Sequence, residues 1–213
     1  MLINDVKKIP LLVLALFILA LGIVLVKESN LGLDPWGVFH EGMSNLTGLS
    51  FGMVIELIGY IILLLSLLIK IYPGIGTVIN ILIVGKFIDF LLETNLFVSG
   101  EVTKYLFFIV GFVILCFGRA LYISCNLGSG PRDGLFVGIV KFTKIDVKYI
   151  KPSIELIIFI LGVLYGGTYG VGTVLLLFLS GYLVEYFFKL LNYDPKTKSH
   201  SSIFLYLKNQ KAS

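Results

Sequence analysis

Asn30-Leu31-Gly32-Leu33-Asp34-Pro35-Trp36-Gly37 and Asn126-Leu127-Gly128-Ser129-Gly130-Pro131-Arg132-Asp133-Gly134 are two copies of one stretch. Each comes after a long apolar run, turns on Gly and Pro, and leads into a short segment of helical patterning before the next apolar run. The stretch therefore reads as a helix opening. Asp34 can act as N-cap with Pro35 at the first helical position, and Pro131 can succeed Gly130 in the same way. Either arrangement leaves backbone N–H groups unpaired at the start of a helix. In a membrane protein, two such openings mark where a ligand would sit.

The composition places the chain in a bilayer. Of its 213 residues 57% are hydrophobic and only 14% charged, and the mean hydropathy is +0.98, far outside the range of soluble domains. A spanning helix needs about 20 mostly apolar residues. Windows of that kind lie near Ile9–Val26, Phe51–Ile69, Thr77–Leu92, Tyr105–Ser124, Ile150–Tyr165 and Gly170–Leu190, which predicts six transmembrane helices. The third and fifth are short and carry charge or glycine, so hydropathy alone could return five. The first is read as a retained span, because no small-residue cleavage pattern comes after it. Cys116 and Cys125 are too few and too poorly spaced for a disulfide framework or a zinc site, and read as apolar filler.

Lysine and arginine orient the bundle. Lys7, Lys8, Lys70, Arg132, Lys141, Lys144, Lys148, Lys151 and the tail from Lys189 onward lie at one set of ends, against Lys27 and Lys104 at the other. The positive-inside rule then puts both termini in the cytoplasm. The basic tail reads as a topology anchor and gives no reason to expect nucleic acid.

The repeat extends past the turn. Ile55-Glu56-Leu57-Ile58 matches Ile154-Glu155-Leu156-Ile157, Gly74-Ile75-Gly76-Thr77-Val78 matches Gly170-Val171-Gly172-Thr173-Val174, Gly85 falls opposite Gly181, and Asp89 opposite Glu185. A unit of three spans is odd in number, so its second copy must enter the membrane upside down. The expected fold is all-α: one membrane domain with a 3+3 inverted repeat, residues 9–93 and 105–191, and a basic tail over 192–213. Each unit inserts a short helix after its turn. In the first, Trp36, Phe39, Met43 and Leu46 share one side of the wheel, which fits either a strap lying flat at the interface or a re-entrant half-helix.

Ionisable side chains inside spans are costly, so Glu56, Lys86, Arg119 and Glu155 are functional candidates by default. At about 1.5 Å per residue, Glu56 and Glu155 lie at mirror-related depths, on the order of 8 Å from opposite faces. Lys86 lies near the middle of its span and Arg119 at the depth of Glu155. Two ion pairs are expected, Glu56 with Lys86 and Glu155 with Arg119. Because Lys86 aligns with Tyr182 and Arg119 with Ile23, the cations are not imposed by the repeat. Asp34, Arg132 and Asp133 complete the candidate site, although capping explains the aspartates and topology the arginine. His40 reads as a headgroup-level residue. No Walker loop, GxGxxG or HExxH is present, and His40-Glu41 lacks a second histidine.

The doubled turn, the paired I-E-L-I and the G-x-G-T-V openings together resemble the YczE/YyaS/YitT family of bacterial integral membrane proteins, over about Leu16 to Leu191. The resemblance implies a bacterial cytoplasmic-membrane protein and supplies no catalytic residues. The two turns depart from each other at Asp34/Gly130 and Trp36/Arg132. The functional expectation is a secondary transporter or facilitator for a small anionic or zwitterionic solute, without a cofactor. The alternative is a membrane scaffold that assists another protein. An enzyme is not expected, for want of a nucleophile with its base. The lipid bilayer is one partner, and a second copy or another membrane protein would be a further one.

Overall fold

The computed structural model describes residues 5–69, 71–97, 100–128, 130–132, 136, 139, 143 and 146–194. Seven helices have described bounds: α1 Ile9–Glu28, α2 Pro35–Thr47, α3 Phe51–Leu68, α4 Ile75–Glu93, α5 Thr103–Ser124, α6 Val147–Leu164 and α7 Val171–Leu190. Five of them, α1, α3, α4, α5 and α7, are long and apolar enough to cross a membrane. The expected fifth span corresponds to α6, which is 18 residues long but carries Lys148, Lys151 and Glu155 in its first half and is not among those five. Asp133, Lys70, Lys141, Lys144 and the tail beyond Asp194 lie outside the described residues.

α1 and α5 form the central spine. α1 is apolar on every side, and Leu12, Ala15, Leu16, Ala20, Val24 and Val26 are all fully buried. Apolar character does not hold helices together in lipid, so close backbone approach must. Three glycines provide it. A Cβ at Gly22 would lie 2.3 Å from the Leu115 backbone nitrogen, one at Gly118 2.5 Å from that of Leu19, and one at Gly111 2.7 Å from Leu25 Cβ. α4 then packs on α1 through an edge-to-face contact of Phe17 and Phe87, and α7 packs on α5 through Phe117 and Phe187, with ring centroids 5.3 Å apart in both cases.

The repeated turns lock the halves together. The Leu31 carbonyl accepts from the Gly172 N–H at the start of α7, and the Leu127 carbonyl accepts from the Gly76 N–H at the start of α4, both at 2.8 Å. Gly32 and Gly128 adopt φ of +112° and +142° to make these approaches. Such backbone is open to glycine and strained for other residues. A Cβ at either would also collide with the threonine, Thr173 or Thr77, of the facing G-x-G-T opening, at 2.5 and 2.7 Å. The G-x-G openings therefore serve as sockets for the turns.

α2 starts as the sequence predicts. Asp34 is its N-cap, accepting from the Gly37 N–H at 3.2 Å, and Pro35 is the first helical residue. Its burial, however, departs from the predicted apolar stripe of Trp36, Phe39, Met43 and Leu46. Pro35, Trp36, Gly37, Val38, His40 and Gly42 are buried, whereas Leu46 is 61% exposed. Burial thus changes along the helix rather than around it, so α2 enters the bundle end-first. Its contacts with α6 climb in step. Phe39 meets Gly162, Gly42 meets Gly162 and Tyr165, and Asn45 Nδ2 donates to the Gly166 carbonyl at 2.7 Å. His40, expected at headgroup level, is instead 2% exposed, packed between the rings of Trp36, Phe39 and Phe51.

Candidate functional site

The inner ends of the two openings meet. Arg132 lies over the Trp36 ring, 4.6 Å from guanidinium carbon to centroid, and its Nη1 is 3.7 Å from Asp34 Oδ2. In the register of the repeat, Arg132 is the counterpart of Trp36, and Gly130 that of Asp34. Asp34, Trp36 and Arg132, which touch, thus all stand at positions where the two copies differ. Opposite charge and a ring face replace the like-for-like contact that identical turns would make, and a stacked guanidinium is one of the stronger cation–π arrangements.

Beside this contact lies a cavity of about 360 Å³, within the size range of small-molecule sites. Its walls are mostly apolar, from Leu19, Ile23, Ile55, Ile58, Ile81 and Val84 among others. Its polar lining is Asp34, Trp36, His40, Asn80, Arg119, Tyr122, Arg132, Lys151, Glu155 and Ser180. Four of the expected site residues therefore converge there: Asp34, Arg119, Arg132 and Glu155. Three cations, Arg119, Arg132 and Lys151, face two carboxylates, Asp34 and Glu155. The Trp36 indole Nε1 is buried without a hydrogen-bond acceptor, an orphan that normally calls for a partner.

Neither expected ion pair forms at bonding distance. Among the described residues, Glu155 pairs with Lys151, 3.9 Å away on the preceding turn of α6. Arg119 is half-buried and, among the described residues, has no carboxylate at ion-pairing distance, although it shares the cavity with Glu155. Glu56 and Lys86 stand outside the cavity. Glu56 packs its Cγ against Gly85 of α4, leaves one oxygen buried and unpartnered, and Lys86 is exposed. The reason is helical phase: Lys86 is displaced by about 100° from Gly85, so a helix that turns Gly85 into the α3 contact leaves Lys86 exposed at its edge, where its charge and its backbone N–H still act on the Glu56 carboxylate.

Three groups come into play through the fold alone. Lys151 counts only toward topology in the sequence, yet its (i, i+4) spacing from Glu155 puts both on the cavity side of α6. Trp36 reads there as an interfacial ring. Lys27 and Glu41 stand in the sequence only as charges outside the spans, but their side chains pair at 3.1 Å, and Glu41 Oε2 also accepts from the Thr168 N–H at 2.7 Å. That carboxylate ties α1, α2 and the α6–α7 loop together. Among the described residues, no group of three His, Cys, Asp or Glu side chains could hold a metal ion.

Curated relatives are similar over most of this length. A Haemophilus influenzae protein described as uncharacterized is 34% identical over 185 residues, covering 87% of this chain and 85% of its own. The Bacillus subtilis uncharacterized membrane protein YczE is 34% identical over 173 residues, 80% of each chain. The Bacillus subtilis uncharacterized protein YyaS is 28% identical over 178 residues, 82% of this chain and 89% of its own. No solved structure matches the chain. Together with a family model that matches residues 6–189, these relatives make the chain a membrane protein that belongs to DUF6198, a family of unknown function.

Proposed function

We propose that the protein is a six-span carrier or facilitator of a small anionic or zwitterionic solute in a bacterial cytoplasmic membrane, with the central cavity as its binding site. The observation that carries this reading is the convergence of both helix openings and Arg119 on one cavity, where cations outnumber carboxylates by three to two. Arg119, without an ion-pair partner among the described residues, favours negative charge, and so does the excess of positive side chains. A scaffold would instead pair its charges off in a dry bundle.

Parity supports a sixth span. The Asn45–Gly166 hydrogen bond requires the end of α2 and the α6–α7 loop to lie on the same side. Among the helices with described bounds, α3, α4, α5 and α6 run between them. If the three apolar helices each cross, the chain returns to its starting side only when α6 crosses too. Lys151 and Glu155 of α6 then line the cavity, as intramembrane charges are expected to do. Six crossings in two units of three supply the inverted repeat on which many carriers are built.

The test is thermal unfolding of the full-length protein in detergent with phosphate, sulfate, acetate, glutamate and glycine as probes. Arg119→Gln is the site variant and Lys86→Gln the control outside the cavity. At a hundredfold excess over its dissociation constant a ligand stabilises the native state by about 2.7 kcal/mol. The expected result is a rise with at least one probe that persists in Lys86→Gln and disappears in Arg119→Gln. A folded protein that none of the solutes stabilises would favour the scaffold.

A further inference from the structure

The two halves differ where α3 meets α4 and where α6 meets α7. The first joint is closed by glycine. A Cβ at Gly52 would fall 2.0 Å from the Gly85 carbonyl oxygen, one at Gly85 2.6 Å from Glu56 Cγ, and one at Gly59 3.1 Å from Ile81. Asp89 seals it by accepting from the Gly52 N–H and the Ser50 hydroxyl. In the register of the repeat, Gly52 becomes Lys151, Gly59 becomes Ile158, Gly85 becomes Gly181 and Asp89 becomes Glu185. A lysine thus stands where the first joint admits no side chain, and an isoleucine where it leaves little room. The second joint does not close: a Cβ at Gly181 would meet nothing within 4 Å, and Glu185 reaches Lys189 of its own helix at 2.9 Å.

The cavity runs into this gap. Lys151 and Glu155 line it from α6, Ser180, Gly181 and Val184 from α7, and both Lys151 and Gly181 are exposed. We infer that the gap between α6 and α7 is the mouth of the central cavity, and that Lys151 there selects small anions over cations. The inference deepens the carrier reading and rests on it only for the fate of the anion once inside. Lys151 is half-exposed and 3.9 Å from Glu155, a loose pair that an incoming anion can replace at little cost. Arg119 and Arg132 lie beyond it on the cavity wall, so the positive charge continues inward. Gly181 on the opposite rim leaves the width that a side chain would fill.

The experiment uses the full chain in lipid nanodiscs, with buried Cys116 and Cys125 replaced by alanine and Gly181→Cys as the reporter, since a side chain has room there. Reaction rates are measured with two methanethiosulfonate reagents, one bearing a sulfonate and one a trimethylammonium group, with exposed Leu46→Cys as the reference. The expected result is that the thiol at 181 reacts and prefers the sulfonate reagent relative to the reference. Lys151→Gln should lower that preference severalfold, and Lys151→Arg should keep it. No reaction at 181 while Leu46→Cys reacts would mean that lipid, a second copy or another segment covers the gap, and would overturn the proposal. So would a preference indifferent to the charge at 151. Labelling requires no bound solute, so an anion-selective mouth survives failure of the thermal screen, and a covered gap leaves a positive screen intact.

Discussion

Asp34 caps α2 with one carboxylate oxygen and faces Arg132 with the other, so its two roles can be separated by substitution. Asp34→Asn keeps an N-cap of similar quality and loses only an ion pair that is partly exposed, worth up to ~1 kcal/mol. Asp34→Ala loses the cap as well, about 1 kcal/mol more. Thermal unfolding should therefore rank the native chain first, Asn second and Ala last. Equal losses for both variants would mean that the cap contributes nothing to α2. Glu41 is the second residue with a double role, joined to Lys27 and to the Thr168 N–H. Glu41→Gln retains an oxygen for Thr168 while leaving Lys27 without its partner, and Glu41→Ala removes both contacts. Chymotryptic cleavage of the α6–α7 loop, which carries exposed Tyr169, should increase modestly in Glu41→Gln and strongly in Glu41→Ala. These double roles are invisible in the sequence, because their partners lie up to 127 positions away.

At the scale of the element, glycines that look alike along the chain divide into two kinds. Gly118 presses on the backbone of Leu19, while Gly181 faces open space. Replacing a helical glycine by alanine gains about 1 kcal/mol of helix propensity where there is room. Forcing an atom into a packed helix crossing costs typically about 1–3 kcal/mol, occasionally more. Gly181→Ala should accordingly melt at or above the native temperature, and Gly118→Ala several degrees below it. If both melt alike, α1 and α5 do not cross where Gly22, Gly111 and Gly118 bring them together. The placement of α2 shows the same limit of sequence reading. Its cap, proline start and glycine stop at Gly48, with φ +72°, arise from local chemistry, and its amphipathic pattern is legible in the residues. That pattern cannot reveal that the helix stands alongside α6, because burial along a helix depends on what surrounds it.

For the molecule as a whole, the number of crossings is the property to measure. If α6 crosses, Tyr169 and Leu46 share one face of the membrane and the chain beyond α7 lies on the other. Cysteines at Leu46 and Tyr169, both exposed, should react in intact cells with a reagent that cannot cross the membrane. A cysteine at exposed Asp194, just beyond α7, should react only after lysis. Labelling at Leu46 without labelling at Tyr169 would return the count to five and rule out an inverted repeat of three spans. The asymmetry between the halves also belongs to this scale. Glycines close the joint of α3 with α4, whereas a Cβ at Gly181 of α7 would meet nothing.

What the sequence determined by itself was the class of solvent, the all-helical character, the doubled opening and four of the residues that line the cavity. These come from composition, from the period of apolar runs and from short-range turn chemistry, all of which act within a few residues. What the tertiary structure decided was which charges meet. Lys86 is turned out of the cavity by the phase that Gly85 imposes on α4, and Glu56 of α3 packs against Gly85 instead of lining it. Lys151 is turned in, and Arg132 finds Trp36 and Asp34 across the meeting of the two turns. The physical reason is that depth along a span can be read from residue number, but the direction a side chain faces is set by the backbones that approach it. Those approaches are fixed by glycines on helices distant in the chain.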